Sequence, residues 1–445
     1  MGKTRMKLTL IESLEKQFDV PLSRMRSIKR AVAGEMDAGL AGRKSSLAML
    51  PAYCDAASGG EKGLFLALDL GGTNFRVMLV KLAGAGDPPQ VVAEAKYKLT
   101  REHITGSGDV LFGAIAGYLR KFLKDHAFTS DYALGYTFSF PVQLLGIDEG
   151  ILMKWTKEFS ASGVVGRKVV ALQRRALTRK RVANVNIVAL ANDTVGTLQA
   201  QAALDSNCGM GVILGTGFNI AVRVAARRIR KGVGSSCPGK NMIVNMEAGN
   251  FAPSLPSTSY DRRLDRDSGN AGHQLAEKMI SGKYLPQLVR LLILDLIRKE
   301  RLFDGVAPAV FADKDSFKGW HMDVFEAGSS ESVQNLAKEL FGRTLNPVER
   351  RTLARLSRLV SSRSARVAAS LIAGALTRLE RRSSKRVTVA VDGSLFEKYP
   401  GYDRRLAEAI RELQGSGGTR VRLKLTKDGS GIGAAVIAAV ASAER

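Results

Sequence analysis

LALDLGGTNFRVMLV, residues 66–80, decides how the rest of this chain is read. An apolar run ends in Asp69, turns through Gly71 and Gly72, presents Thr73 and Asn74, and becomes apolar again. Apolar runs flanking a Gly-Gly turn predict a buried strand, a tight turn and a second strand. Glycine lets a ligand approach the backbone closely, and amides exposed in such a turn suit phosphate oxygens. Asp69, at the strand end, is placed to reach a metal ion directly or through water. Such hairpins also occur without ligands, so the decision rests on what the rest of the chain supplies.

Outward from this stretch, GVILGTGFNIAVRV from Gly211 repeats the pattern of strand, Gly-Thr-Gly turn and strand. The echo predicts two related lobes facing one cleft. Strands and helices alternate from 64 to about 193, which favours an α/β unit with a mixed or parallel sheet. Before it, residues 10–40 read as helical, because Leu10, Leu14, Phe18 and then Ile28, Val32 and Met36 fall at helical intervals. A Gly/Ser/Ala-rich connector follows and ends near 58–63. Further helix is expected at 271–300 and 350–382, and a short strand at 387–393. DGSGIGAAVIAAVASA then places a glycine-rich turn before a helix whose N-terminus can receive an anion or nucleotide.

Composition narrows the function classes. At 445 residues the chain exceeds one simple core, so two lobes are expected. Its 45% apolar and 24% charged residues are those of an ordinary globular protein. The longest uncharged apolar segment, 431–443, is too short to span a bilayer, so no membrane partner is expected. MGKTRMKLTLIESLEKQF has no apolar segment of signal-peptide length, and its Met-Gly start lacks the Ser or Thr that myristoylation favours. Cys54, Cys208 and Cys237 are odd in number and far apart, which predicts free thiols and a cytoplasmic protein. Four scattered histidines, His103, His126, His273 and His321, have no metal-ligand spacing. The net charge of +25 admits a nucleic-acid partner, but no aromatic residues interleave with the basic clusters as a single-strand platform requires. In 350–386, Val367, Leu371, Leu376 and Leu379 recur at roughly helical spacing, which assigns the arginines to a solvated face.

Three constellations carry chemistry. In VALANDTVGTL, 188–198, an apolar strand delivers Asn192 and Asp193 to its end. Asp193 there can accept a proton from a hydroxyl, or can simply cap the following helix. In 134–163, Ser139, Thr156 and Lys157 offer donors and acceptors among apolar neighbours, as a polyhydroxylated ligand needs. An ordinary turn with a surface lysine is the other reading. Glu247, at the end of an apolar run, and Glu277, in a helix, are carboxylates suited to sugar hydroxyls, though an exposed helical Glu needs no ligand.

Taken together, LALDLGGTNFRV, TFSFP with WTKEFSASG, LANDTVGTL, LGTGFN, the Glu-bearing loop and NAGHQLAEKMISGKYL resemble, in order, the motifs of the hexokinase family. The resemblance covers most of the chain, from EMDAGL at 35–40 to DGSGIGAAV at 428–436. It implies a two-lobed actin-like ATPase (ribonuclease H-like) α/β fold, each lobe a mixed sheet with flanking helices and the active site between them. The implied small lobe is 64–193 plus 431–445, and the large lobe 1–63 plus 194–430. The implied activity is ATP-dependent phosphorylation of the 6-hydroxyl of a hexose, with glucose as the expected substrate and mannose or fructose as further acceptors, with sugar-induced lobe closure and Mg²⁺.

Carried over by residue, the resemblance implies a sugar site of Ser139, Thr156, Lys157, Asn192, Asp193, Asn219, Glu247 and Glu277. Asp193 matches the family's general base, and Lys157 adds positive charge near the transferred group. Gly71, Gly72, Thr73, Asn74, Gly215 and Thr216 match the phosphate turns, and Asp69 the Mg²⁺ side. Asp392, Gly393 and Ser394, with Gly429, Ser430 and Gly431, resemble the turns flanking adenosine. The chain departs from the family where Thr-Glu-Trp-Gly reads Met246-Glu247-Ala248-Gly249, and where Asn-Pro-Gly-Gln-Gln reads Asn270-Ala271-Gly272-His273-Gln274. Lost packing at Ala248 and an imidazole at His273 predict weakened sugar binding. The competing reading is a sugar-sensing regulator or weakly active pseudo-kinase; a nucleic-acid role has no supporting signature. A monomer or weak dimer suits one catalytic unit of this length.

Overall fold

The computed structural model describes residues 2–156, 158–231, 239–299, 302–380, 386–415 and 420–443; Lys157 and Cys237 lie outside the described residues. The helical stretch expected at 10–40 is two helices, α1 (Gly2–Phe18) and α2 (Leu22–Leu40). Pro21 causes the break: it adopts extended angles and caps α2, while Phe18 and Val20 just before it are buried. A short strand β1 (Leu50–Pro51) leads to the hairpin read from the glycines, β2 (Lys62–Leu70) and β3 (Asn74–Ala83). Leu66 lies opposite Leu79 and Asp69 opposite Arg76.

β4 (Gln90–Lys98), α3 (Arg101–Thr105), α4 (Gly108–Asp125) and β5 (Tyr132–Phe138) follow. Next come a small hairpin, β6 (Val142–Gly146) and β7 (Glu149–Leu152), then α5 (Val169–Arg179), β8 (Val185–Ala191) and α6 (Asp193–Ala202). The second glycine hairpin is β9 (Cys208–Leu214) and β10 (Phe218–Ala225), succeeded by β11 (Asn241–Asn245). Helices α7 (Ser259–Arg266), α8 (Leu275–Ile280), α9 (Leu285–Arg298), α10 (Gly319–Ala327), α11 (Ser330–Phe341) and α12 (Pro347–Leu376) come next. The chain continues through β12 (Arg386–Asp392), α13 (Ser394–Lys398), α14 (Tyr402–Gln414), β13 (Arg420–Leu425) and α15 (Gly429–Ala443).

Two mixed sheets result. One runs β4-β3-β2-β5-β8 and the other β1-β11-β10-β9-β12-β13, each an antiparallel hairpin extended by parallel strands. The echo in the sequence is thus an echo in topology. Helices α6 and α15 pack together between the sheets, α15 on β2, β5 and β8 and α6 on β9, β10 and β12. They pack backbone to backbone. A Cβ added at Gly433 would lie 2.0 Å from the Gly196 carbonyl oxygen, and one at Gly135 would lie 1.8 Å from that of Ala434. Only glycine permits this approach, and it brings the N-termini of both helices to the ends of the parallel strands.

The arginines of 350–386 do not form a simple solvated face. Arg363 is fully buried, with two bonds of 2.7 Å to Asp261, and its guanidinium lies 4.3 Å from the Phe18 ring centroid. Arg355 reaches Glu15, Arg366 reaches Glu412 and Arg378, just past the helix end, reaches Asp37, so α12 and the turn after it tie α1, α14 and α2 together. Burial alone would raise the Asp261 carboxyl, but the bidentate Arg363 guanidinium and the bonds from Thr258 outweigh it and hold it below the ordinary range. Cys54 and Cys208 are buried free thiols, as expected. No described helix is long and apolar enough to cross a membrane.

Candidate active site

Strand ends position the chemistry. β8 is apolar up to Ala191, and Asn192 stops it by capping α6, its side chain accepting the Thr194 N–H at 2.7 Å. The cap is therefore Asn192, and Asp193 is the first helical residue. Its Oδ1 accepts from the Thr194 N–H at 2.7 Å and hydroxyl at 3.0 Å, which fixes the carboxylate's orientation.

The charge of Asp193 is felt by Glu247, Glu277 and Asp392, which brings four carboxylates from distant segments into one neighbourhood. Burial, with Asp193 and Glu277 as neighbouring negative charges, raises the Glu247 carboxyl above its usual range. Glu277 is raised by burial and by Asp193, although its Oε2 accepts the Phe218 N–H at 3.0 Å. Burial pushes Asp392 up to about 6. Glu247 also sits in the left-handed backbone region at φ 53°, a conformation costing on the order of 1 kcal/mol or more for a non-glycine residue. The strain turns its side chain within reach of Asn245, whose amide donates to Glu247 Oε1 at 2.8 Å. Asn219 completes the chain of amides, donating to Asn245 at 2.9 Å and accepting from the Ala248 N–H at 3.0 Å.

The first glycine turn leaves open space where side chains would lie. A Cβ at Gly71 or Gly72 would meet nothing within 4 Å, and neither residue has a positive φ. The protein's own packing does not require glycine there; the open space suits a ligand lying against the backbone. Ser139 lies beside this turn, its N–H donating to the Leu70 carbonyl at 3.1 Å. The second turn is held on two sides: the Gly282 N–H donates to the Gly215 carbonyl at 2.8 Å, and a Cβ at Gly215 would lie 3.2 Å from the Gly393 Cα. Asp392 in turn accepts the Gly429 N–H at 3.2 Å, joining the end of β12 to the start of α15.

A family model described as hexokinase matches residues 209–440, and another of the same description matches 10–203. Hexokinase-7 of Oryza sativa subsp. japonica is 37% identical over 450 residues, covering 97% of this chain and 97% of that protein. Hexokinase-2 of Homo sapiens is 37% identical over 428 residues, covering 93% of this chain and 46% of that protein. A solved hexokinase from Schistosoma mansoni complexed with glucose matches at a TM-score of 0.86 and 35% identity, covering 98% of this chain and 99% of that one. The chain belongs to the hexokinase family. It is an enzyme that phosphorylates a hexose, its fold is the two-lobed α/β fold of actin-like ATPases, and the family's phosphate donor is ATP.

In this hexokinase the expected residues fall into three groups. Asn192, Asp193, Asn219, Glu247 and Glu277 form the carboxylate and amide cluster. Asp69 and Ser430 form a second group with Arg76 and Asp428: Asp69 Oδ2 accepts from Arg76 at 2.9 Å and from the Ser430 hydroxyl at 2.8 Å, and Arg76 also pairs with Asp428. Gly71, Gly72, Thr73, Asn74, Gly215, Thr216, Asp392, Gly393 and Ser394 are the third, along the two turns and the end of β12. Gly429 and Gly431 have packing reasons of their own, since a Cβ at either would press on Thr197 or on Met78. Thr156 makes no described side-chain bond to the cluster, and Lys157 lies outside the described residues. His273 is exposed beside Asp265, whereas Ala248 is fully buried.

Sequence reasoning missed Arg76, Asn245 and Lys154. Arg76 was discoverable: a hairpin over 66–80 with its turn at 71–74 sets it opposite Asp69. Lys154, whose charge opposes the rise at Glu247, left no signal, and neither did Asn245.

Proposed function

We propose that this hexokinase transfers the γ-phosphoryl group of ATP to the 6-hydroxyl of glucose, with mannose and fructose as further acceptors. Asp193 is the general base, and Ser139, Thr156, Lys157, Asn192, Asn219, Glu247 and Glu277 hold the sugar. The observation that carries this reading is the convergence of Asp193, Glu247 and Glu277, with Asp193 pinned by Thr194 at the head of α6. A sugar ring presents several hydroxyl donors, and ionised carboxylates are their strongest acceptors. Asp193 accepts the proton of the attacking hydroxyl; Glu247 and Glu277 orient the ring. The likeness to the Schistosoma mansoni hexokinase complexed with glucose supports the choice of sugar.

Both glycine turns, with Thr73, Asn74 and Thr216, take the phosphates, and Asp392, Gly393, Ser394, Gly429, Ser430 and Gly431 flank the adenosine. Mg²⁺ fits the donor set: it binds through one or two carboxylates plus substrate phosphates, and both described bonds to Asp69 fall on Oδ2, leaving Oδ1 to face a hydrated ion. When bound, that ion neutralises charge on the phosphates. We assign 64–193 plus 431–445 to the small lobe and 1–63 plus 194–430 to the large one. Sugar-driven closure between them excludes water, a competing acceptor. We further place the enzyme in the cytoplasm as a monomer or weak dimer.

The test is a coupled assay for glucose 6-phosphate, comparing the intact protein with Asp193→Ala and monitoring glucose binding separately. The expected loss in kcat is on the order of 10²- to 10⁴-fold with glucose binding retained. Glucose binding with no turnover by the intact protein sinks the proposal and favours the sugar sensor.

A further inference from the structure

Away from the carboxylate cluster, a cavity of about 650 Å³ opens between β13 and the end of α6. Arg386, Arg420, Arg422 and Lys424 line it, and Asp205 is its one carboxylate. Asp205 is already engaged: it accepts from the Thr388 hydroxyl at 2.5 Å and the Asn207 N–H at 2.9 Å. Among the described residues Arg420, Arg422 and Lys424 form no salt bridge. β13 is the edge strand of its sheet, and its burial alternates, so these three cations share one face. Strand geometry spaces them about 7 Å apart.

We propose that this hollow binds a small soluble polyanion of the phosphate class, at a site separate from the nucleotide's. The site is centred away from the nucleotide turn: Arg386, with Arg420 paired to it, lies at the start of the strand that ends at Asp392, roughly 20 Å away at the ordinary rise per residue, and Lys424, paired with Ala390, marks its nearer edge. The volume falls within the range of small-molecule sites, roughly 300–1,000 Å³. Guanidinium forks match phosphate oxygens bidentately, and a row of cations fits linked or clustered phosphates better than a single monoanion. No aromatic side chain lines the cavity, so nothing there stacks on a nucleobase. Cations on an edge strand also discourage pairing with another chain, but that purpose requires no cavity. The exposed carbonyl end of α6 disfavours anions, so the ligand lies against β13.

Titration calorimetry of the full chain with sodium tripolyphosphate, in saturating glucose and a non-hydrolysable ATP analogue, tests the site while the nucleotide position is occupied. One equivalent is expected to bind, and Arg420→Ser/Arg422→Ser to weaken it by on the order of tenfold or more. Lys424→Gln weakens it less, and serves if the double variant fails to fold. Arg350→Ser/Arg351→Ser, equal in charge but exposed and remote near the start of α12, leaves it unchanged. Turnover without tripolyphosphate is unaffected in all of these variants. Absent binding, displacement by the nucleotide analogue, or equal weakening by the remote pair each overturns the proposal.

Discussion

The two glycine turns look alike in sequence and use glycine for opposite reasons. At Gly71 and Gly72 a side chain would enter open space, so the protein alone has no need of glycine. Beside the second turn, at Gly393, the protein itself demands it, and at Gly215 a side chain would be tight against Gly393. Gly393 has φ +126°, and a Cβ there would lie 2.4 Å from the Leu214 carbonyl. One turn has open space around its glycines; the other is packed into its sheet. A shared motif therefore does not imply a shared cost of substitution.

Substitutions can break this contrast. Gly393→Ala should be the most damaging, combining a left-handed backbone with a backbone clash, and should lower stability by on the order of 3 kcal/mol. Urea unfolding measures it, and an unchanged midpoint would deny that the second turn is locked. Glu247→Gln should separate stability from function. Its carboxyl is raised in the folded state, so ionisation costs stability as pH rises above the ordinary carboxylate range. Removing that charge should stabilise the free protein at pH 7 by on the order of 1 kcal/mol while raising the glucose KM about tenfold. In the unmodified enzyme, glucose affinity should fall on acidification, beginning above the ordinary carboxylate range, which binding titrations across pH would register. Gly71→Ala should have the smallest effect on folding, within about 0.5 kcal/mol. Its effect should appear in the ATP KM; a shift in melting temperature without one would make the first turn structural.

The fold was legible where chemistry repeats locally. Apolar runs around 71–73 and 215–217 marked both hairpins, and the end of the apolar run at Ala191 marked the start of α6, although its cap is Asn192 and not Asp193. Pairings made at long range were not legible. Arg363 looked like a surface arginine because Asp261, its buried partner, lies 102 positions away. The break at Pro21 was visible in principle, since proline removes a donor, but strong apolar spacing on both sides masked it. In the site, residue types were readable and their company was not: Asn245 becomes significant only once its amide is seen between Asn219 and Glu247. Lys154 and the cavity beneath β13 depend wholly on tertiary placement.

The column of contacts at Gly135, Gly196 and Gly433 bears on how this enzyme's tolerance to mutation should be interpreted. Gly135 and Gly433 admit no side chain, because another segment's backbone occupies the space, and a Cβ at Gly196 would be tight against the Ser430 backbone at 3.0 Å. A saturation scan scored by growth would rank these glycines beside Asp193, though none carries a group that could move a proton. Intolerance in such a map would trace two kinds of position, those that do chemistry and those that let two helices touch. Only a readout that separates folded abundance from turnover would tell them apart.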